Sequence, residues 1–260
     1  MVTMKRILLE VLQNAVMGIP PAARFARRSH STGLNADPVQ SRRLFEFYTG
    51  FAPVTGKDVL EIGPGHTIDA LELAVLAGAR SCTAVDVVDY LSTERAGRTA
   101  VRYRIYDGKT LPFESEQFDL LWSHTAFEHL RFPAITVVEC FRVLRPAGKL
   151  ISLIDLGDHS YYGKQAPAPG MLFDCLRYPE WLWNLMKWNR SSYVNRLRKS
   201  DWIDLLNRVG FRFVECRSTE SEEVERSLHR LRYLHRFTQE DATTAVLIVS
   251  AEKPDPRETK

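Results

Sequence analysis

The chain has 260 residues, of which 45% are hydrophobic, and its 35 basic and 32 acidic residues leave a formal net charge of +3. That length and composition suit one large α/β domain with elaborations, and the near balance of charge gives no general argument for a nucleic-acid partner. Its four cysteines lie far apart without a C-x-x-C pair, so free thiols in a reducing cytoplasm are expected rather than disulfides or a metal site.

The first segment, residues 1–54, is predicted to be a helical cap. Lys5 and Arg6 precede an apolar run as in a signal peptide, but Glu10 and two amides interrupt it. No stretch approaches the roughly 20 apolar residues of a membrane span. A second amphipathic helix is predicted over residues 39–51. The apolar positions of the first helix are expected on one face: Ile7, Leu8, Val11, Leu12, Ala15 and Val16.

The stretch from residue 58 to residue 86 predicts a βαβ unit. Residues 58–62 have the pattern of a short buried strand that ends at a glycine turn. The apolar period then changes to that of a helix over 68–76, and residues 81–85 give a second short strand. A strand, a glycine turn, a helix and a strand that ends in an acid are typical of a nucleotide-type site at the carboxyl edge of a parallel sheet.

Three residues of this unit suit the chemistry of such a site. Gly63 and Gly65 let the backbone turn sharply and approach a ligand without a Cβ in the way. Asp86 follows the turn by about 20 residues, where a carboxylate can accept hydrogen bonds from both ribose hydroxyls. An ordinary tight turn before a helix would look the same, so the motif alone is a weak signal.

One more strand is predicted over residues 101–105, where the alternation of side chains suits an exposed or edge-side strand.

Several phrases in this region resemble those of the class I (Rossmann-like) S-adenosylmethionine (SAM) methyltransferases, in particular the methyltransferase type 11-like group. Residues 61–65, Glu-Ile-Gly-Pro-Gly, resemble motif I of that family, although Thr67 stands where its third glycine would fall. Residues 111–130 resemble its phrase of the type "LPF…FDLV.S…EHL", and residues 144–150, Leu-Arg-Pro-Ala-Gly-Lys-Leu, its turn before the fifth strand. These landmarks span residues 58–155 in the family's order. The resemblance implies a fourth strand over residues 118–122 and a fifth over 150–154, with Ser123 and His124 at the carboxyl end of the fourth strand, beside the methyl donor.

The resemblance implies a three-layer, doubly wound α/β fold with a seven-stranded sheet. The sheet would be mostly parallel, with one antiparallel strand near the C-terminus, and would carry N-terminal helices and a helical insertion after strand five. The cofactor implied is SAM. Asp107 matches the acid that in this family commonly binds the adenine amino group, although Asp-Gly is equally a generic turn. The implied cofactor-binding residues are Glu61, Gly63, Gly65, Asp86, Asp107 and Ser123.

One methyltransferase domain is expected over residues 1–260. Its cofactor-binding core is placed at 55–155, a substrate-side insertion at 156–205 and the C-terminal strands at 206–252. Long ordered insertions of this kind tend to be functional. Ser200 is predicted to cap a helix, and residues 253–260 are predicted to be a frayed tail.

The predicted reaction is methyl transfer to a hydroxyl of a small molecule, such as a sugar or a polyketide-like metabolite. A hydroxyl acceptor benefits from a base, and histidine titrates in the right range. His159, just after strand five, and His124 are the two candidate catalytic residues. Asp155 and Asp158 could join His159 in holding a divalent cation, but this spacing is unspecific.

Three alternatives stay open. The first is methylation of nitrogen or of RNA, against which stand a missing N-P-P-Y type motif and the absence of a basic module. The second is a SAM-fold binding protein without catalysis, and the third a nicotinamide oxidoreductase. The expected partner is a small-molecule acceptor, with no nucleic acid and no membrane span, and a homodimer is left open.

Overall fold

The computed structural model describes residues 4–23, 37–91, 99–162 and 171–257. The chain forms two compact units, each assembled from three segments. The first unit comprises residues 1–31, 155–200 and 218–247, and the second comprises residues 32–154, 201–217 and 248–260. The predicted division into a cap, a core, an insertion from residue 156 and C-terminal strands stays a prediction.

The strands are β1 (Asp58–Ile62), β2 (Ser81–Asp86), β3 (Arg102–Ile105), β4 (Phe118–His124), β5 (Leu144–Asp155), β6 (Arg212–Glu220) and β7 (Thr244–Glu252). The main helices are α1 (Met4–Met17), α2 (Pro38–Thr49), α3 (Asp69–Leu76), α4 (Pro133–Val143), α5 (Glu180–Lys187), α6 (Lys199–Val209), α7 (Glu222–Ser227) and α8 (Gln239–Thr243). None of the helices in the described ranges has the length and apolar character needed to span a bilayer.

The strands form one seven-stranded sheet in the order β3-β2-β1-β4-β5-β7-β6. From β3 to β5 neighbouring strands are parallel, and one antiparallel pair lies near the C-terminus. The predicted α/β fold class is therefore confirmed. The registers place Glu61 opposite Ala84 on one side and Trp122 on the other, which brings the carboxyl ends of β1, β2 and β4 to one edge.

The core of the second unit explains why α2 and α3 pack on the sheet. Apolar side chains of both helices meet the buried strands in one cluster. Within it, the Tyr48 and Trp122 rings are stacked, with centroids 4.4 Å apart and planes 5° apart. α2 begins at a proline behind Asp37, whose carboxylate accepts a hydrogen bond from the Val39 amide and so caps the helix.

The first unit has its own core, in which buried aromatic and aliphatic residues of the segment 172–194 pack together. Phe173, Trp183 and Tyr193 are buried there, and the Trp183 indole donates to the Val194 carbonyl at 2.9 Å. Residues 163–170 of the predicted insertion lie outside the described residues.

Helix α1 forms where the sequence predicts it, and its apolar residues share one broad face, but only one edge of that face is packed against the protein. Ile7 and Val11 pack against the core of the first unit, whereas Leu8, Leu12 and Val16 are exposed. The reason is tertiary, because polar α1 residues find partners near the C-terminal end of α5 and take the inner side of the helix.

Two further expectations are corrected. Ser200 does not cap α6, which starts at Lys199; the Asp241 carboxylate instead accepts bonds from both the amide and the hydroxyl of Ser200. The segment after β7 is not frayed at its start, since the Lys253 amide donates to the Gly148 carbonyl at 2.9 Å. That pairing also explains why β5 begins at Leu144, six residues before its predicted start.

Candidate functional site

The glycine turn after β1 is built from two left-handed residues. Gly63 has φ +74° and Gly65 has φ +66°, a region that side chains with a Cβ rarely adopt. A Cβ on Gly63 would also lie 2.5 Å from the Cβ of Ala126, which follows β4. Glycine at position 63 is therefore required both by backbone conformation and by the close approach of the neighbouring strand end.

Glu61 is a buried acid beside this turn. It is 3% exposed, and its Oε2 atom has no hydrogen-bond partner among the described residues. Burial, together with the negative charge of Asp86, raises the pKa of Glu61 to about 8. A buried carboxyl group without a compensating cation is costly, and a positively charged ligand beside it would favour its ionised form.

Asp86, at the end of β2, is held by backbone amides. Its Oδ2 accepts from the Gly65 amide at 3.2 Å, and its Oδ1 accepts from the Val87 and Val88 amides at 2.7 Å and 3.2 Å. Burial raises its pKa to about 6, against the opposite effect of these three amides. The fixed carboxylate keeps further lone pairs with which it can accept hydroxyl hydrogen bonds, as a ribose requires.

Aromatic side chains of α2 pack against the end of β4 at this edge of the sheet. Tyr48 is fully buried, and this burial, with a smaller effect of Glu61, raises the pKa of its phenol. The Tyr48 hydroxyl and the Trp122 indole nitrogen are buried without partners among the described residues. Phe47 meets the His124 ring edge-on, with centroids 6.0 Å apart.

Ser123 and His124 form the end of β4 rather than following it. Ser123 is fully buried, and its hydroxyl has no partner within the described ranges. The His124 Nδ1 atom is likewise buried without one. Burial lowers the pKa of His124, so the imidazole is neutral and can accept a proton at neutral pH.

Asp107 follows β3 at the same edge of the sheet, as predicted, but its side chain is exposed. Its Oδ1 accepts from the amides of Lys109 and Thr110, both at 2.8 Å, and these bonds lower its pKa. This geometry is that of an Asx turn. The adenine-binding role of Asp107 stays a prediction.

His159 lies in the first unit. Its Nε2 is 3.8 Å from Asp155 Oδ2, and burial lowers its pKa although Asp155 and Asp158 act in the opposite direction. The two acids are already engaged locally, since Asp155 Oδ1 accepts from the Tyr162 hydroxyl at 3.0 Å and Asp158 Oδ1 from the Ser160 hydroxyl at 2.7 Å. A catalytic role for His159, and a cation beside it, stay predictions.

Two aromatic contributions to the site were not predicted as functional. The sequence shows Tyr48 only as part of an apolar helical stripe, and nothing in its spacing indicates a stack on Trp122. His66, within the glycine turn, has its ring 4.7 Å from that of Tyr90, and burial lowers its pKa. For His66, the feature of the sequence that could have indicated a functional role was the position of a histidine within the glycine turn.

The residues present fit an adenosyl sulfonium ligand. SAM carries a ribose, for which Asp86 is suitably placed, and positive charge, which would compensate the buried and unpaired Glu61. The cofactor therefore suits both the amide-held acid at the end of β2 and the orphaned carboxyl oxygen at the end of β1.

Comparisons with known proteins agree with this geometry. Residues 60–152 match the family model described as a methyltransferase domain. A malonyl-[acyl-carrier protein] O-methyltransferase from Methylococcus capsulatus is 33% identical over 95 residues, which span 35% of this chain and 34% of that relative.

Two solved structures show the same fold. A SAM-dependent methyltransferase from Mesorhizobium loti has a TM-score of 0.55 at 17% identity, over 80% of this chain and 96% of that one. Phosphoethanolamine N-methyltransferase 2 from Haemonchus contortus, solved with SAM, has a TM-score of 0.57 at 19% identity, over 84% of this chain and 53% of that one.

Proposed function

We propose that this chain, in which residues 60–152 form a class I SAM-dependent methyltransferase domain, transfers the methyl group of SAM to a hydroxyl oxygen of a small molecule. The observation that carries the proposal is the neutral, half-buried imidazole of His124 at the end of β4, on the same sheet edge as Glu61 and Asp86. An oxygen acceptor is also in keeping with the O-methyltransferase that is similar over 95 residues.

Methyl transfer from SAM requires little covalent participation by the protein. Bound SAM supplies a methyl group on a positively charged sulfur, and transfer is an in-line displacement. Asp86 and Glu61 would hold the cofactor, and the β4 end would orient the acceptor, because positioning supplies most of the acceleration in such a reaction.

His124 would take the proton of the acceptor hydroxyl. A neutral imidazole is required, and the burial that lowers the His124 pKa keeps the ring neutral. A positioned base contributes typically about 10²- to 10⁴-fold. A nitrogen acceptor that is already unprotonated would need no such base.

The test is a SAM-turnover screen over sugar, phenolic and other hydroxyl acceptors, with His124→Ala, His159→Ala and the exposed His229→Ala as a matched control. We expect His124→Ala to lower kcat by about 10²-fold or more while SAM binds within about twofold of wild type, since the residue acts on the acceptor. His229→Ala should leave both unchanged.

The pH profile sharpens the test. Wild-type kcat should rise with pH through a pKa below 6.5, the ordinary value for histidine, and His124→Ala should lose that rise. Full activity in His124→Ala would remove the proposed base. Turnover of amines alone would overturn the choice of a hydroxyl, and SAM binding without turnover of any acceptor class would favour a binding protein.

A further inference from the structure

Helix α1 is packed with its polar side inward. Glu10 Oε2 lies 2.9 Å from the Lys187 ammonium, which is itself buried, and also pairs with Arg190. Asn14 is 7% exposed; its amide donates to the Leu185 carbonyl at 2.9 Å, and its Oδ1 accepts from the Asn189 amide at 2.7 Å. The polar residues of α1 are therefore used to attach the helix to α5 and the turn after it.

The outward side of α1 is apolar. Leu8 is 63% exposed and Leu12 62% exposed, and they are one helical turn apart. Large apolar side chains in water are unfavourable, and a contiguous set of them marks an interaction site. The exposed stripe of α1 and the residues just after it consists of Met4, Leu8, Leu9, Leu12, Val16 and Ile19.

Helix α5, against which α1 packs, adds two exposed apolar residues. Trp181 and Leu185 are four residues apart, so they share one face of α5, and both are exposed. Tryptophan is enriched where a protein meets the headgroup region of a bilayer. The two helices therefore expose the apolar residues of α1 together with Trp181, a residue type common at the surface of a bilayer.

The charge that accompanies the stripe is positive. Besides Glu10, whose carboxylate is paired internally, the charged residues of α1 are Lys5 and Arg6. Lys5 is exposed, whereas Arg6 is half-buried and interacts electrostatically with the acids Glu10 and Asp174. The solvent side of α1 therefore combines apolar side chains with an exposed lysine and no exposed acid, a composition that suits a helix lying in an anionic membrane interface.

The size of the surface argues against a second copy of the chain. A stable protein–protein interface takes roughly 20–30 residues a side, and the stripe with its two α5 neighbours is far smaller. A symmetric dimer would in addition set this patch against the same patch of its partner. A lipid surface needs only one apolar helical face.

We propose that α1 binds the surface of an anionic phospholipid bilayer, with the exposed stripe in the boundary between headgroups and acyl chains and with Lys5 on the lipid phosphates. This is binding to the surface by a 14-residue helix and involves no spanning segment. It does not depend on which acceptor the domain methylates.

The test is flotation of the full chain with vesicles made of equal parts phosphatidylcholine and phosphatidylglycerol, beside vesicles of phosphatidylcholine alone. Wild type should float with the anionic vesicles and be released by high salt. The double variant Leu8→Glu/Leu12→Glu should lose at least about tenfold in partitioning. Leu76→Glu is the matched control, because Leu76 is 84% exposed, belongs to the second unit, and should change nothing.

A second readout does not depend on the double variant. Brominated lipids should quench the part of the tryptophan fluorescence that comes from Trp181. That part is the difference between the fluorescence of wild type and that of Trp181→Phe. Unchanged SAM binding by Leu8→Glu/Leu12→Glu would show that it is folded. The proposal is overturned if wild type binds neither vesicle, if Leu76→Glu loses as much binding, or if the double variant only dissociates a dimer of the chain.

Discussion

Two buried charged side chains, one in each compact unit, are partnered differently. In the first unit Arg198 is 1% exposed, and it donates to the carbonyls of Asp241, Leu156 and Thr244 at 2.8, 2.9 and 2.5 Å. In the second unit Glu61 is 3% exposed, and one of its carboxyl oxygens has no partner within the described ranges. Buried groups in proteins are normally hydrogen-bonded, so the contrast calls for an explanation.

The difference indicates that one buried charged residue has a structural role and the other a functional role. Arg198 has a structural role, because its hydrogen bonds hold Leu156 and the segment from Asp241 to Thr244 together. The burial of Glu61 and the nearby Asp86 charge disfavour its ionised form. Groups with strongly perturbed pKa values cluster at functional sites, and a cationic cofactor would favour the ionised form of this acid.

The largest effect is expected from Arg198→Ala. The change leaves three carbonyls without their donor, and because each buried polar group left unsatisfied costs about 1–3 kcal/mol, we expect a loss of at least about 3 kcal/mol of unfolding free energy. Urea unfolding measures it. Arg208→Ala, at an 80% exposed side chain, is the control and should stay within about 0.5 kcal/mol. An equally small change in Arg198→Ala would show that the carbonyls do not depend on it.

Gly63→Ala should act on the cofactor instead. The new Cβ must displace Ala126, so SAM affinity should fall by about 100-fold, as the turn is forced away from the β4 end. Gly56→Ala is the matched control: Gly56 also has a positive φ, +72°, but nothing lies within 4 Å of an added Cβ. It should cost about 1 kcal/mol of stability and leave SAM affinity intact. An equal loss of SAM affinity in both variants would show that backbone strain alone causes the effect.

The pH dependence of stability tests the unpaired acid. The folded-state pKa of Glu61, about 8, lies above its ordinary 4.5, so the folded protein binds more protons in this window and stability falls as pH rises from about 5 to about 8. One unit of pKa shift is 1.36 kcal/mol, so half of this shift is worth about 2 kcal/mol. Glu61→Gln should flatten the slope. A wild-type protein that gains stability over that range would contradict the assignment.

The smallest effect is expected at Asp107. If its free oxygen binds the adenine amino group, Asp107→Asn should weaken SAM binding by about threefold while the side-chain oxygen still accepts from the Lys109 and Thr110 amides. Calorimetric titration of SAM measures this. No change would leave Asp107 as a turn residue alone.

Local pattern was enough to predict the second unit. Each strand and helix from β1 to β4 appears within a few residues of its predicted bounds, because buried strands and glycine turns carry their own periodicity. The placement of Asp86 beside Gly65 follows from the same βαβ rule.

Contacts distant in sequence were not predictable. The inward face of α1 depends on Lys187 and Asn189, more than 170 residues away. The cap of α6 comes from Asp241 rather than from Ser200, and the Tyr48–Trp122 stack joins two elements that no spacing connects. In each case a tertiary partner outweighs what the local sequence favours.

The most direct measurement is calorimetric titration of SAM into wild type, Glu61→Gln and Glu46→Gln, the last an acid-to-amide change on the exposed face of α2. The amide cannot compensate a cation, so we expect Glu61→Gln to bind SAM at least about tenfold more weakly, with unfolding free energy at pH 8 no lower than that of wild type. Glu46→Gln should match wild type in both. Undiminished SAM affinity in Glu61→Gln would contradict the assignment of the buried, unpartnered acid to the cofactor.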